Sequence, residues 1–289
     1  MKEKSGLHKN NVHKKGYDFD TLIEVSPDLK AFTTENSHGN ISIDFSNPKA
    51  VRALNAALLE KHYGIKDWVF PEENLCPPIP GRVDYIHHLH DLIATSSIEG
   101  DIKVLDIGTG ATCIYPLLGA KVYGWDFVAT DIELDSLDYS QDIIDDNDLS
   151  SKITLRQQFN EQHILTGIIE AEDTFAASMC NPPFYASAEE ARGANRRKTR
   201  NLGTNTVRNF AGNNNELWYV GGEKAFLHNY LYQSSLHKET CVWFTSLVSK
   251  KENVESLQKS AEKLKATTFK VIPMQQGNKV TRIVAWSFK

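Results

Sequence analysis

No stretch of this chain comes near the roughly 18 consecutive apolar residues that a membrane-spanning helix needs. The N-terminus, Met1 to His8, also lacks the apolar segment of an export signal. A soluble protein that stays in the cytoplasm is expected. Cysteine is scarce: Cys76, Cys113, Cys180 and Cys241 stand far apart with no C-x-x-C pair, so neither a disulfide framework nor a zinc site is suggested. No resident metal is expected, and no internal repeat is visible. Excess positive charge is missing too. The formal net charge is −5 over 289 residues, which as a single number argues weakly against a nucleic-acid partner.

The distribution of charge says more than its sum. Residues 1–17 carry Lys2, Lys4, Lys9, Lys14 and Lys15 against Glu3 alone, with His8 and His13 between them. Residues 192–208 carry Arg192, Arg196, Arg197, Lys198, Arg200 and Arg208 and no acid. The negative balance comes largely from residues 126–148, where nine Asp and Glu meet no Lys or Arg. Two basic segments on an acidic body are the footprint of a polyanion-binding face, although each run alone fits a solvated face or a disordered loop equally well. Lys9, Lys14 and Lys15, with the basic residues of 192–208, are the candidate polyanion contacts.

Along the chain the first 40 residues are polar and are expected to order only against the body or a partner. Asn47-Pro48 begins an amphipathic helix, with Val51, Leu54, Ala57, Leu58 and His62 near helical spacing, which Gly64 stops at Tyr63. Pro71 to Pro80 reads as an extended connector, giving an N-terminal unit at 1–80 and a second at 81–289. From Arg82 strands and helices alternate. Expected strands are 102–107, 123–130, 153–155, 175–180 and 240–244; expected helices are 85–93, 111–119, 134–144, 222–236 and 251–265. A closing antiparallel pair, 267–272 with 280–288, is joined across Gly277-Asn278. Such alternation predicts an α/β protein with a doubly wound, mostly parallel sheet.

Two turns carry chemistry. Asn181-Pro182-Pro183-Phe184 ends the apolar run Phe175 to Cys180. Prolines give no N–H to a ladder and forbid helix before them, so the chain there is rigid and extended. An amide, a carbonyl outside any ladder and an aromatic ring stand together at the carboxyl end of a strand, as a flat base bearing an amino group requires. Alone, the four residues fit a proline-rich turn over a core phenylalanine equally well. The second turn, Asp106-Ile107-Gly108-Thr109-Gly110, lets a ligand approach the backbone but lacks the third glycine of a pyrophosphate cradle. Asp131, 21 residues past Gly110, is placed to accept ribose hydroxyls. Glycine turn plus ribose acid points to a nucleoside cofactor such as S-adenosylmethionine; the alternative is a tight turn and a helix-capping aspartate.

The sequence Leu105 to Gly119 (LDIGTGATCIYPLLG), with Arg82 to His87 (RVDYIH), Cys180 to Phe184 (CNPPF) and Ala285 to Phe288 (AWSF), resembles the bacterial 23S ribosomal RNA adenine-N6 methyltransferase F family (RlmF-like). It is similar also to that family's animal relative, methyltransferase-like protein sixteen. The resemblance runs from about His8 to the C-terminus. It implies a class I S-adenosylmethionine-dependent methyltransferase, Rossmann-like, with a C-terminal antiparallel hairpin and an N-terminal basic, partly helical, RNA-binding extension. It also implies methylation of the adenosine at position 1618 of 23S rRNA, free or in a large-subunit assembly intermediate. By the same resemblance Asn181 and the Pro182 carbonyl accept from the adenine amine, and Phe184, after Pro183, stacks on the base. Gly108 and Thr112 match cofactor contacts, Asp131 takes the place of a ribose-binding glutamate, and Arg82 pairs with the methionine carboxylate. Gln162 borders the cofactor adenine by a loose alignment, and is as readily a solvent-facing loop residue.

The loop after Phe184 departs from the family in being rich in glycine and asparagine (Gly203, Gly212, Asn213, Asn214, Asn215), and is expected to be mobile without RNA. The animal members' further C-terminal RNA-binding region is not expected past Lys289. A monomer is expected. Methylation of a DNA adenine or of a protein glutamine amide uses the same pair of acceptors, and an RNA-binding module without catalysis is a third reading.

Overall fold

A computed structural model describes residues 6–36, 39–183, 185–187, 189–190, 218–276 and 279–289. Phe184, Lys2, Lys4, the basic residues of 192–208, the Gly/Asn-rich loop and the Gly277-Asn278 turn lie outside them.

The chain first forms short 3-10 turns at Val12–Lys15 and Pro27–Phe32, helix α1 (Phe19–Val25) and a small antiparallel pair, β1 (Thr33–Glu35) with β2 (Ile41–Ile43). Helix α2 (Pro48–Tyr63) has the expected ends. The Asn47 side chain accepts from the Lys49 N–H, and Gly64 closes the helix at φ 64°, a left-handed conformation that glycine adopts without strain. Its buried face is Ala50, Leu54, Ala57 and Leu58. His62, expected on that face, is exposed.

Helix α3 (Ile79–Ile93) begins earlier than the expected 85, because Pro80 sits in its first turn where the missing N–H costs nothing. The extended connector therefore ends at Pro78. The N-terminal segment docks along α3 through polar groups. The His8 N–H donates to Asp84 Oδ1 at 2.7 Å, Asn11 Nδ2 donates to Asp84 Oδ1 and to Pro80 O, each at 2.9 Å, and His13 Nε2 lies 2.8 Å from the Tyr63 hydroxyl. Lys9 and Lys15 stay exposed and Lys14 half-buried on that strap.

The sheet is built from β3 (Lys103–Ile107), β4 (Asp126–Asp131), β5 (Ile153–Gln157), β6 (Phe175–Cys180), β7 (Cys241–Val248), β8 (Thr268–Gln276) and β9 (Lys279–Ser287). Its order is β5-β4-β3-β6-β7-β9-β8, parallel from β5 to β7, with β9 antiparallel to both neighbours. Helices α4 (Ile114–Tyr123), α5 (Leu134–Asp146), α6 (Gly222–Leu236) and α7 (Lys251–Lys263) complete the alternation. Side chains of β3 alternate between two cores: Val104 joins the residues of α2, α3 and α4, while Leu105 and Ile107 join those of α6 and α7. The chain enters at β3, winds outward to β5 and returns to β6 on the other side. The switch point thus lies between β3 and β6, where open α/β sheets bind ligands.

Two boundaries differ from the sequence expectation for one reason. The helix expected at 111–119 is α4 at 114–123, and the strand expected from Tyr123 starts at Asp126. Cys113 (φ 46°) and Gly124 (φ 69°) are both left-handed, so they cap the helix at its two ends and displace the strand. β7 runs on to Val248 because the antiparallel partner β9 covers residues 244–248.

At Gly119 α4 packs against the sheet with no room for a side chain. An added Cβ there would run into the buried Phe127 ring, with Trp125 Cε3 3.2 Å away. A glycine-to-alanine change inside a helix ordinarily gains about 1 kcal/mol, but overpacking a core costs about 1–3 kcal/mol. Phe127 is 1% exposed and packed by neighbours, so the clash wins. Gly119→Ala is expected to lower stability by about 1–2 kcal/mol in urea denaturation; a more stable variant would show that the α4–β4 contact can give way.

Candidate functional site

The glycine turn leaves β3 and hooks onto the next strand: the N–H groups of Gly108 and Thr109 both donate to Thr130 O at 2.9 Å. Gly108 has φ 73° and nothing within 4 Å of where a Cβ would stand, so its backbone is open to a ligand. Behind the turn, Ser140 of α5 donates to Gly110 O at 2.8 Å, and Trp68 Nε1 donates to Thr112 O at 2.8 Å. Trp68, from the chain ahead of α3, thus braces the turn directly. Asp131 ends β4 with its carboxylate aimed by two backbone donors, Gly110 N–H at 2.8 Å and Glu133 N–H at 3.0 Å.

These groups share a cleft of about 640 Å³ with the end of β6. Arg82, Gly108, Gly110, Thr112, Asp131, Gln162, Asn181 and Pro183, all read from the sequence, line it. Pro182 is buried beside the cleft without lining it, and Gln162 is exposed at its rim. Lys9, Lys14 and Lys15 stand outside the cleft on the N-terminal strap. Several lining residues were not singled out as site residues in the sequence: Thr109, Tyr115, Gln158, Trp218, Tyr219, Phe226 and Asn229. For Trp218 and Tyr219 the cue was available, an aromatic pair between a basic run and Gly221-Gly222.

Asp106, also read from the sequence, does not line the cleft but lies buried behind its glycine turn, near the lining residues Arg82 and Thr109. Asp106 is 1% exposed, and neither carboxylate oxygen meets a hydrogen bond of ordinary geometry among the described residues. Burial pushes its carboxyl up to about 7; the nearby Asp131 adds to the rise, and the Thr109 hydroxyl and Arg82 oppose it. Burial raises the Asp131 carboxyl as well. Arg82 donates through Nη1 to the Tyr115 hydroxyl at 2.6 Å, but among the described residues neither its buried Nε nor the Thr109 hydroxyl meets a hydrogen bond of ordinary geometry. A buried carboxyl, a guanidinium Nε and a hydroxyl, each without a hydrogen bond of ordinary geometry among the described residues, form a set that a ligand can complete.

The opposite wall is stapled by α6. Gln233 Oε1 accepts from the N–H groups of Ile164, Leu165 and Thr166 at 2.9, 2.9 and 3.1 Å. Asn229 Nδ2 reaches both Gln162 O at 2.8 Å and the Tyr219 hydroxyl at 2.9 Å. The loop after β5 is therefore fixed by two amides on one helix face. Among the described residues no group of three or more His, Cys, Asp or Glu could hold a metal ion, and no helix is long and apolar enough to cross a membrane.

The sequence profile of a family described as RNA methyltransferase matches residues 1–289. The chain belongs to this RNA methyltransferase family. Curated relatives of the methyltransferase include the ribosomal RNA large subunit methyltransferase F of Shewanella oneidensis, 51% identical over 99% of this chain and 82% of its own length. The protein of the same name from Flavobacterium johnsoniae is 49% identical over 99% of this chain and 94% of its own. Among solved structures, the human METTL16 catalytic domain in complex with MAT2A 3′UTR hairpin 1 superposes with a TM-score of 0.86. It is 32% identical and covers 99% of this chain and 96% of that one. The N-terminal domain of human METTL16 in complex with SAH gives 0.80 at 29% identity, over 98% and 99% of the two chains. The methyltransferase thus has the class I fold, with the mostly parallel sheet and C-terminal antiparallel pair expected.

Asp106 supplies a test that needs no ligand. From about pH 4 to about 7 the folded methyltransferase holds a proton on this carboxyl that the unfolded chain, at 3.8, has released. The group therefore makes the ligand-free protein progressively less stable as pH rises through that window, by roughly 1.4 kcal/mol for each unit of the shift at most. Asp106→Asn is expected to gain stability relative to the parent between pH 4.5 and 7, and parallel curves for the two proteins in urea titrations across that range would refute the buried-carboxyl assignment.

Proposed function

We propose that this methyltransferase transfers a methyl group from S-adenosylmethionine to the N6 amino group of one adenosine in 23S rRNA, at the position the family resemblance implies. The observation that carries the reading is the joint opening of the Asn181-Pro182-Pro183 turn and the Gly108–Asp131 turn region onto one cleft at the switch point of the sheet. The residues present suit the cofactor. Its amino-acid end is a zwitterion, and the unpaired Asp106 carboxyl, Arg82 Nε and Thr109 hydroxyl offer an acceptor and donors for it. The Asp131 carboxylate, held by two N–H groups, retains acceptor capacity for a ribose diol. When bound, S-adenosylmethionine supplies an electrophilic methyl on a sulfonium.

The remaining work falls to the chain. The side-chain oxygen of Asn181 and the carbonyl of Pro182 accept the two amine hydrogens, which draws the amine lone pair out of conjugation with the ring and aims it. Asn181 lines the cleft, where its side-chain oxygen can meet a ligand. No strong base is needed, because the amine becomes acidic once alkylated and loses its proton afterwards. Phe184 follows as the stacking residue. An adenine amine is inaccessible inside a helix, so the base is presented from a loop or flipped. The N-terminal unit 1–80, through Lys9, Lys14 and Lys15, and the basic run Arg192 to Arg208 hold backbone phosphates, while 81–289 forms the catalytic domain. The protein acts as a cytoplasmic monomer on free rRNA or on an assembly intermediate.

Incubation with labelled S-adenosylmethionine and 23S rRNA, followed by digestion, should place label in N6-methyladenosine at a single site. Asn181→Ala is expected to abolish transfer while RNA affinity stays within a few-fold; full activity in that variant would refute the mechanism. Charge reversal at Arg196, Arg197 and Lys198 should weaken RNA binding and flatten its salt dependence, by about one unit of slope for each phosphate no longer neutralised. An unchanged slope would remove that run from the interface.

A further inference from the structure

We propose that Trp218 reads the ring of the substrate base, donating its indole N–H to N1 or N7, the two ring nitrogens that flank the adenine amino group. The inference rests on the reading of Asn181 and Pro182 as acceptors for that amine.

Trp218 lines the cleft with Asn181 and Pro183, and its Nε1 is buried without a hydrogen-bond partner among the described residues. A buried indole N–H ordinarily finds an acceptor, and leaving it unmade costs about 1–3 kcal/mol. The other unpaired groups nearby, on Thr109 and Arg82 in the lining and on Asp106 buried behind it, stand beside the glycine turn. Trp218 belongs to a different wall. Its backbone forms a parallel bridge with Tyr185, two residues past Pro183, and the Tyr219 N–H donates to Tyr185 O at 3.0 Å. Tyr219 is fixed in turn by Asn229 Nδ2 on its hydroxyl and by an edge-on contact with the Phe226 ring at 5.3 Å. The indole is thus held on the segment that the Asn181 turn itself leads into, and the hydrogen bonds that hold its backbone leave the side-chain N–H unspent.

The chemistry of the base says what this N–H is for. Once two acceptors take both amine hydrogens, what an adenine still shows on either side of that amine is an acceptor, N1 or N7. The wall then needs a donor, and tryptophan is donor only. Guanine presents a carbonyl oxygen where adenine has the amine, so that oxygen would face the two acceptors; its N1–H would also face an indole placed at N1, whereas its N7 accepts as that of adenine does. Cytosine repeats the amine-acceptor pair of adenine, so the exclusion of pyrimidines falls to ring size, and the indole adds discrimination against guanine where it reads N1.

The test uses the full chain and RNA carrying the target adenosine, 1-deazaadenosine or 7-deazaadenosine at the methylated position; each analogue replaces one ring acceptor by C–H. Wild type is expected to lose about ten- to a hundredfold in kcat/KM on one of the two analogues. Trp218→Phe, which keeps a ring and loses the donor, should lose a similar factor on unmodified RNA and show no further loss on that analogue. Any effect of the analogue on the reactivity of the amine is common to both enzymes and cancels in the ratio. Unchanged affinity of Trp218→Phe for S-adenosylmethionine, measured by calorimetry, establishes that the variant is folded. Indifference of the wild type to both analogues, or a Trp218→Phe enzyme as sensitive to them as the wild type, overturns the proposal. Failure of the wild type to form N6-methyladenosine in unmodified RNA instead overturns the reading on which it rests.

Discussion

The pairing of Ile107 with Cys180 in the parallel ladder between β3 and β6 is the constraint on which the site depends. It brings two strands 73 positions apart to the same edge at the same level, so Gly108 and Asn181 leave the sheet side by side. Every residue of β6 is buried, and the side chains of β3 enter two different cores, so a slip of one residue would send an apolar set to the wrong face. The next pairing outward, Ile107 with Thr130, adds Asp131 one step beyond. Three short turns, each weak as a signal, become one cleft because two registers are fixed.

The molecule satisfies its buried polar groups unevenly, and the unevenness marks the site. Glu223, 2% exposed at the start of α6, accepts from the Ser249 N–H and hydroxyl, the Lys250 N–H and Asn253 Nδ2. Asp106, equally buried, accepts from none of its neighbours with ordinary geometry. The first carboxylate ties α6 to the start of α7; the second is held ready beside an unpaired guanidinium nitrogen. The same contrast separates Trp68 and Trp286, whose indoles donate to Thr112 O and Ser234, from Trp218, whose indole does not. Polar groups at ligand sites are left open while the scaffold closes its own.

Attachment of the N-terminal segment follows a different principle. His8, Asn11 and His13 are buried, and the segment is tied down through Asp84, Pro80 O and Tyr63. A polar composition that reads as disordered in isolation is thus ordered by specific hydrogen bonds, and Lys9 between the buried positions remains outside. Trp68 in turn joins the chain ahead of α3 to the glycine turn at Thr112.

Much of this protein was legible in the residues themselves. The ends of α2 follow from Asn47, Pro48 and Gly64; β6 and α6 fall where apolar runs and glycines put them; and the proline pair after Asn181 can only end a strand. These features are local, set by dihedral preferences and by missing donors. The left-handed Cys113 was not legible, because nothing in a cysteine announces a positive φ, and with it went the true span of α4. Nor were Asn229 and Gln233, whose roles arise from hydrogen bonds to a loop about 70 residues away in sequence. The sequence by itself determined the alternation of elements, the sites where strands must stop and the residue types available there. Only the tertiary structure decided which stops share a cleft, which buried groups are left unpaired and which aromatic joins Asn181 in lining it, because those depend on register and long-range packing that no local preference encodes.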